Sequence, residues 1–161
     1  MSELRTYQAN AITALREAIR AGKRRIMLSS ATGSGKSRIM VEMAQSAATK
    51  GKRVVVFCDR IQLVQQMSRH FASIGLHHGV MQGENSRAAY SPVLVASIQT
   101  VAKRGLPEGT DLVLIDEAHG CAGREEFRKV IISAMKQPRT PVIGFSATPW
   151  SRGLAKHYDE L

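Results

Sequence analysis

The stretch SATGSGKS, residues 30–37, follows an apolar segment and precedes a helical pattern, which indicates a connection between a strand and a helix. Gly33 and Gly35 allow backbone dihedrals that are closed to other residues, so successive N–H groups can turn inward onto phosphate oxygens. Lys36 would bring a positive charge to the β- and γ-phosphates, and the Ser37 hydroxyl would bind Mg²⁺. Apolar residues recur at helical spacing over positions 39–47, so the anion would also face the positive end of a helix. The stretch therefore predicts a phosphate-binding loop between a strand and a helix.

This stretch departs from the usual phosphate-loop pattern at one position. The pattern G-x-x-x-x-G-K-[S/T] begins with glycine, and this chain has Ser30 there. A flexible glycine–serine turn is the alternative interpretation. The helical pattern that follows favours the phosphate loop, because the motif requires a helix at that point.

A second element is a short apolar run, residues 112–115, that ends in the acidic pair Asp116 and Glu117. Such a run is typical of a buried parallel strand. Ligands of open α/β sheets bind outside the carboxyl ends of strands, so Asp116 would face the Mg²⁺ held by Ser37, and Glu117 could deprotonate a water. Taken alone, Asp-Glu after a strand can equally be a solvated turn or a helix N-cap. With the phosphate loop, it predicts a hydrolytic site with catalytic residues Lys36, Asp116 and Glu117.

Three motifs follow one another along the chain: GSGKS at 33–37, DEAH at 116–119 and SATP at 146–149. In this order they resemble motifs I, II and III of superfamily-two helicases of the DEAD/DEAH type. The chain is most similar to phage and bacterial helicases related to type I and type III restriction-enzyme motor subunits, whose first lobe ends in a stretch that resembles SATPW, residues 146–150. The resemblance implies ATP as the nucleotide, Mg²⁺ as the metal and nucleic acid as the partner, with DNA expected rather than RNA.

The resemblance also assigns individual residues. Tyr7 and Gln8 lie in a segment similar to the glutamine motif that recognises adenine, where the amide can donate to and accept from the base while Tyr7 stacks on it. A surface glutamine at a helix start is the alternative for Gln8. The predicted nucleotide-binding residues are Tyr7, Gln8, Thr32, Gly33, Ser34, Gly35, Lys36, Ser37 and Arg38, with Ser37 and Asp116 as Mg²⁺ ligands. The residues predicted to couple hydrolysis to movement are His119, Ser146 and Thr148.

Nucleic-acid contacts are predicted at Arg60, in a segment that resembles motif Ia, and at Gln99 and Thr100, in a segment similar to one that lies on the nucleic-acid backbone. The net charge of +10, from 23 Lys and Arg against 13 Asp and Glu, favours phosphate-rich partners. Basic residues that precede strands can instead serve only to keep loops soluble.

The order of apolar patterns predicts an α/β fold. We expect a first amphipathic helix, helices at 36–49, 61–74 and 124–135, and strands at 25–30, 53–58, 79–82, 93–97, 112–115 and 142–146. Segments 82–92 and 104–109 are predicted loops, because glycine, proline and polar residues cluster there. The alternation predicts a mainly parallel sheet with helices on both faces, and the resemblance identifies it as a three-layer RecA-like P-loop NTPase lobe.

The length of 161 residues fits one domain. We expect residues 1–150 to form the ATP-binding lobe and residues 151–161 to begin a linker toward an absent second RecA-like lobe. In the family that lobe supplies an arginine to the γ-phosphate, so the isolated lobe should bind ATP but hydrolyse it weakly. The alternatives are a phosphotransferase, which the SATP segment disfavours, and a nucleic-acid-binding module with a non-catalytic nucleotide site.

The remaining features predict a cytoplasmic monomer without a membrane segment. The apolar runs are far shorter than the ~20 residues that span a bilayer, and Glu3 does not fit the basic start of a signal peptide. Cys58 and Cys121 lack C-x-x-C spacing, which predicts free thiols. The adjacent His77 and His78 are interpreted as part of a solvated loop.

Overall fold

The fold is that of a computed structural model, which describes residues 4–121, 124–137 and 139–148. The predicted linker at 151–161 lies outside the described residues. The helices are α1 (Thr6–Arg20), α2 (Lys36–Thr49), α3 (Ile61–Ser73), α4 (Ile98–Arg104), α5 (Ala118–Cys121) and α6 (Glu125–Met135). The strands are β1 (Arg25–Ser29), β2 (Val54–Cys58), β3 (Gly79–Gln82), β4 (Asn85–Arg87), β5 (Val93–Ser97), β6 (Leu112–Ile115) and β7 (Val142–Ser146).

The described strands form one seven-stranded sheet in the order β1-β7-β6-β2-β5-β3-β4. Neighbouring strands are parallel except β3 and β4, which are antiparallel. The mainly parallel α/β fold predicted from the sequence is therefore confirmed. Because parallel strands end at one edge, the segments that follow β1, β2, β5, β6 and β7 all emerge on the same side of the molecule.

Side chains of the central strands alternate between two hydrophobic cores, one on each face of the sheet. Val54, Val56 and Cys58 of β2 pack with α1, α2 and α3, whereas Val55 and Phe57 pack with α4 and α6. All five residues are fully buried. This period-2 alternation in an all-apolar strand is what a sheet covered by helices on both faces requires, and it produces the three layers.

Three described elements were not predicted, namely strand β4, helix α4 and the short helix α5, which follows the acidic pair. Strand β4 lies within the segment predicted as a loop at 82–92, where Gly83 at φ +56° makes the turn that pairs Gln82 with Asn85. Helix α4 starts directly after β5, and its first turn is capped by the Ser97 hydroxyl, which accepts a hydrogen bond from the Thr100 N–H at 3.2 Å. All three elements are too short to produce a clear apolar period.

The interpretation of His78 as solvated was wrong, whereas His77 is exposed. The His78 ring is buried against Phe71 and makes hydrogen bonds with the Ser68 hydroxyl at 2.7 Å and the Leu76 carbonyl at 2.9 Å. His78 is therefore a core residue that joins α3 to β3. Within the described ranges, no helix is both long and apolar enough to cross a bilayer.

Candidate nucleotide-binding site

The loop between β1 and α2 has the backbone that its glycines predict. Gly33 and Gly35 adopt φ values of +78° and +79°, in the left-handed region that L-residues avoid. Gly35 is the N-cap of α2, and the Ser34 N–H donates to the Ala31 carbonyl at 3.1 Å. The loop therefore turns tightly and brings backbone N–H groups to the start of a helix, where the dipole favours an anion.

Lys36 connects this loop to the end of β6. Its side chain is 7% exposed, and its ammonium group donates to the Ser30 carbonyl at 3.3 Å and lies 3.7 Å from a carboxylate oxygen of Glu117. A buried ammonium group needs such partners to offset the loss of water. The lysine is consequently held at the junction of the phosphate loop and the acidic motif.

Asp116 is buried, and its N–H donates to the Phe57 carbonyl, which continues the ladder of β6 and β2 by one residue. One carboxylate oxygen accepts the N–H of Glu117 at 3.0 Å. Burial raises the pKa of Asp116 above its ordinary value of 3.8, and the neighbouring charge of Glu117 raises it further. Glu117 itself adopts φ +47°, a left-handed conformation that costs a non-glycine residue about 1–2 kcal/mol.

The phosphate loop and the acidic pair line one cleft of about 420 Å³ at the carboxyl edge of the sheet. Its predicted members are Thr32, Gly33, Gly35, Lys36, Ser37, Arg38, Asp116 and Glu117. A hydroxyl from Ser37 and a carboxylate from Asp116 are the hard oxygen donors that Mg²⁺ prefers. These residues fit a magnesium ion, because a divalent cation beside Asp116 would favour the ionised form that burial disfavours.

Tyr7 and Gln8 contact the phosphate loop. The Tyr7 hydroxyl and the Gln8 amide nitrogen both donate to the Ser34 carbonyl, at 2.6 and 3.1 Å. The Gln8 amide oxygen accepts the Arg5 N–H at 3.1 Å, and the side chain is 6% exposed. Sequence reasoning missed this bracing role. The second amide hydrogen and the remaining lone pair of Gln8 can still serve a base.

The three residues predicted to couple hydrolysis to movement meet beside Glu117. The His119 ring lies 3.2 Å from the Glu117 carboxylate and 3.1 Å from the Ser146 hydroxyl. Ser146 is completely buried, and its hydroxyl also accepts the Thr148 N–H at 3.0 Å. The end of β7 is thus connected through one imidazole to the acidic motif.

Ser30, which departs from the usual loop pattern, makes two contacts besides the one between its carbonyl and Lys36. Its N–H donates to the Ser146 carbonyl at 2.9 Å, and its hydroxyl lies 2.7 Å from the Ser34 hydroxyl. A glycine could make only the first contact. The serine at position 30, in place of the usual glycine, is therefore the sequence feature that produces the hydroxyl–hydroxyl contact. This contact joins the two ends of the segment 30–34.

The predicted nucleic-acid residues line a separate groove of about 900 Å³ at the same edge of the sheet. Arg60 is exposed, and the Gln99 amide donates to the Asp59 carbonyl at 3.0 Å. Thr100 is 6% exposed, and its hydroxyl accepts the Gly83 N–H at 2.8 Å, so it also holds the β3–β4 turn. The structure brings these three residues together.

Comparison with known proteins identifies relatives of this fold and sequence. The family described as type III restriction enzyme, res subunit, matches residues 1–151. A Saccharomyces cerevisiae protein assigned as an ATP-dependent helicase, IRC3, is 31% identical over 90% of this chain, which spans 23% of that relative. The Hef helicase domain of Pyrococcus furiosus superposes with a TM-score of 0.80 at 24% identity, over 96% of this chain and 35% of that one.

A further solved structure is the type ISP restriction-modification enzyme LlaGI, in complex with a DNA substrate mimic. It superposes with a TM-score of 0.66 at 20% identity, over 92% of this chain and 18% of that one. The match over residues 1–151 and the RecA-like architecture agree with each other. This chain belongs to the family of type III restriction enzyme res subunits and has the fold of the N-terminal lobe of a superfamily-two helicase.

Proposed function

We propose that this lobe binds ATP with Mg²⁺ and, together with a second RecA-like lobe, uses hydrolysis to move along DNA. The observation that carries the proposal is the distance of 3.7 Å between the Lys36 ammonium group and the Glu117 carboxylate across a shared cleft. A loop lysine this close to an acidic pair can serve one phosphate group at the same time as that pair serves metal and water.

The chain's own residues divide the work. The loop N–H groups and Lys36 bind the phosphates, and Lys36 would exchange its contact with Glu117 for the β- and γ-phosphate oxygens. Ser37 and Asp116 would hold Mg²⁺, which when bound would neutralise charge that develops on the phosphates. Glu117, whose carboxylate lies 3.2 Å from the His119 ring in this structure, would then be released by Lys36 and would orient and deprotonate the attacking water.

Hydrolysis by this chain alone should be slow. An arginine from a partner lobe contributes roughly a thousandfold or more in related phosphoryl transfers. The described residues at the cleft that carry a guanidinium are limited to Arg38, which lies in the first turn of α2. We therefore expect ATP uptake without robust turnover.

Calorimetric titration with ATP, with and without Mg²⁺, tests the binding step. Lys36→Ala should weaken magnesium-dependent ATP binding by roughly tenfold or more, since a buried ammonium–phosphate contact is lost. Lys129→Ala is the matched control, because Lys129 is an exposed lysine on α6 that pairs with Glu125 and does not line the cleft. Equal affinities for the two variants would refute the assignment.

A DNA partner is supported by the LlaGI structure, which is a complex with a DNA substrate mimic. It is also supported by the groove that contains Arg60, Gln99 and Thr100 together with the basic residues Lys103 and Arg104. DNA and RNA oligonucleotides of one sequence, compared by fluorescence anisotropy over a salt series, test it. Affinity should fall with salt for both, because phosphate contacts release counterions, and DNA should bind more tightly. Tighter binding of RNA would contradict the DNA assignment.

A further inference from the structure

A cavity at the amino-terminal edge of the sheet lies opposite the nucleotide cleft. It has a volume of about 480 Å³ and forms where α1 and α2 end and where β6 and β7 begin. We call this cavity the rear pocket. The nucleotide cleft and the groove with Arg60 both lie at the carboxyl edge, so neither contributes to it.

The floor of the rear pocket is apolar. Met43 and Leu112 line it and belong to the hydrophobic core, with exposed fractions of 5% and 6%. Ile19 and Ala47, which are only partly buried, complete this apolar surface. An aliphatic side chain placed here would itself leave water and would cover the partly buried Ile19 and Ala47, since Met43 and Leu112 already expose little surface.

The rim carries an excess of positive charge. Arg16, Lys50, Lys52 and Arg139 give four positive charges against one negative charge from Asp111, a net of +3. Two of the four are engaged: Arg16 donates to the Ser46 hydroxyl at 2.9 Å, and Lys52 pairs with Asp111 at 3.1 Å.

Lys50 and Arg139 differ from the other two cations. Both are exposed, and neither makes a side-chain hydrogen bond or an ion pair with any residue that the structure describes. Two basic groups without internal partners at the mouth of an apolar cavity can receive anionic groups from outside. Such long side chains are also free to adjust to a partner.

This combination fits an acidic polypeptide better than a nucleic acid. A sugar–phosphate backbone would meet the cations but offers nothing aliphatic to cover Ile19 and Ala47. A peptide that carries Glu or Asp beside Leu or Ile offers both kinds of group within a few residues. Charge complementarity at a rim around an apolar centre is the usual arrangement of a protein interface.

We propose that the rear pocket binds an acidic protein segment through an aliphatic side chain seated against Ile19 and Ala47, with its carboxylates against Lys50 and Arg139. The inference is independent of the nucleotide site, since it uses other residues at the other edge of the sheet. It gives the lobe a docking surface that remains accessible while the carboxyl edge is occupied.

The probe is a fluorescein-labelled decapeptide in which two leucines are flanked by glutamates, titrated with the 161-residue chain by fluorescence anisotropy. We expect saturable binding with a Kd below about 1 mM. Lys50→Gln combined with Arg139→Gln should weaken binding roughly fivefold, because two exposed ion pairs are lost. Replacing the peptide leucines with serines should weaken it by a similar factor or more.

Arg60→Gln combined with Lys103→Gln is the matched control. It removes the same two positive charges at the opposite edge of the sheet and should leave peptide binding unchanged. Thermal unfolding by circular dichroism checks that both double variants fold, and all four substitutions are at basic positions rather than in the core.

Four outcomes would overturn the proposal. In the first, the peptide fails to bind, and in the second, its leucine-free version binds equally well. In the third, the two double variants weaken peptide binding by the same factor, which indicates non-specific attraction between charges. In the fourth, Lys50→Gln with Arg139→Gln lowers DNA affinity as much as the control pair does, which would make this edge a nucleic-acid surface.

Discussion

Gly33 and Gly35 form a matched pair for testing how the phosphate loop is held in shape. Their φ values, +78° and +79°, are nearly identical. A Cβ at Gly33 would meet nothing within 4 Å, whereas a Cβ at Gly35 would lie 2.5 Å from the Gln8 amide nitrogen. Gly33→Ala therefore tests the backbone conformation alone, and Gly35→Ala adds the displacement of Gln8.

The magnitudes follow from these contacts. An L-residue in the left-handed region costs about 1–2 kcal/mol, so both substitutions should lower the free energy of unfolding by about that amount. Gly35→Ala should also break the hydrogen bond from Gln8 to the Ser34 carbonyl, which is worth about 0.5–1.5 kcal/mol. We expect Gly35→Ala to be the more destabilising by about 1 kcal/mol.

Urea unfolding of each glycine variant, alone and combined with Gln8→Ala, isolates the contribution of the Gln8 hydrogen bond to the free energy of unfolding. Gly35 is also the N-cap of α2, and alanine is a poorer N-cap than glycine, so the single variants do not separate the two causes. In the Gln8→Ala background the amide is absent and cannot be displaced. The difference in free energy of unfolding between Gly33→Ala and Gly35→Ala should therefore become smaller. An unchanged gap would show that the contact with Gln8 does not hold the loop.

Three further predictions concern single groups of the site. Burial raises the pKa of Asp116, so its ionised form destabilises the ligand-free fold above that raised pKa and ceases to do so as the pH falls through it. Asp116→Asn should therefore stabilise the chain against urea at pH 8, by an amount that shrinks toward pH 4, while abolishing the gain in ATP affinity with Mg²⁺. Ser30→Ala, which removes the hydroxyl contact with Ser34, should cost about 0.5–1.5 kcal/mol in the same urea assay, and no loss would mean that the contact is dispensable. In a protein that joins this lobe to a second RecA-like lobe, Ser146→Ala with Thr148→Ala should preserve ATP binding in calorimetry and abolish unwinding in a strand-displacement assay; unwinding at the normal rate would contradict the coupling role.

The central sheet could be predicted because its strands are buried on both faces. Residues 54–58 and 112–115 are short, continuous apolar runs, and they form β2 and β6. Such runs are typical of parallel strands that are covered by helices on both faces. The edge of the sheet was different. Strand β4 has three polar residues, so its pairing with β3 depends on the Gly83 turn and not on an apolar period.

Helix α4 was missed for a related reason. Strand β5 passes into the helix with no glycine or proline between them, and Ile98 and Val101 continue the apolar pattern of the strand. What ends the strand is the Ser97 hydroxyl, which caps the helix through the Thr100 N–H. A single serine in a mixed sequence is a weak signal, because the same residue is common in loops and strands.

Tyr7 and Gln8 make contacts in the structure that the motif did not predict. The motif predicts that both residues bind nucleotide. Their hydrogen bonds to the Ser34 carbonyl span 27 residues from Tyr7 and 26 from Gln8, and no local sequence pattern encodes contacts over that separation. The contact has a consequence for the proposed function. If Gln8 also meets the adenine base, one amide would bind the base and brace the phosphate loop, because its nitrogen carries two hydrogens. Recognition of the base and the geometry of the loop would then be linked, and Gln8→Ala should weaken ATP more than inorganic triphosphate.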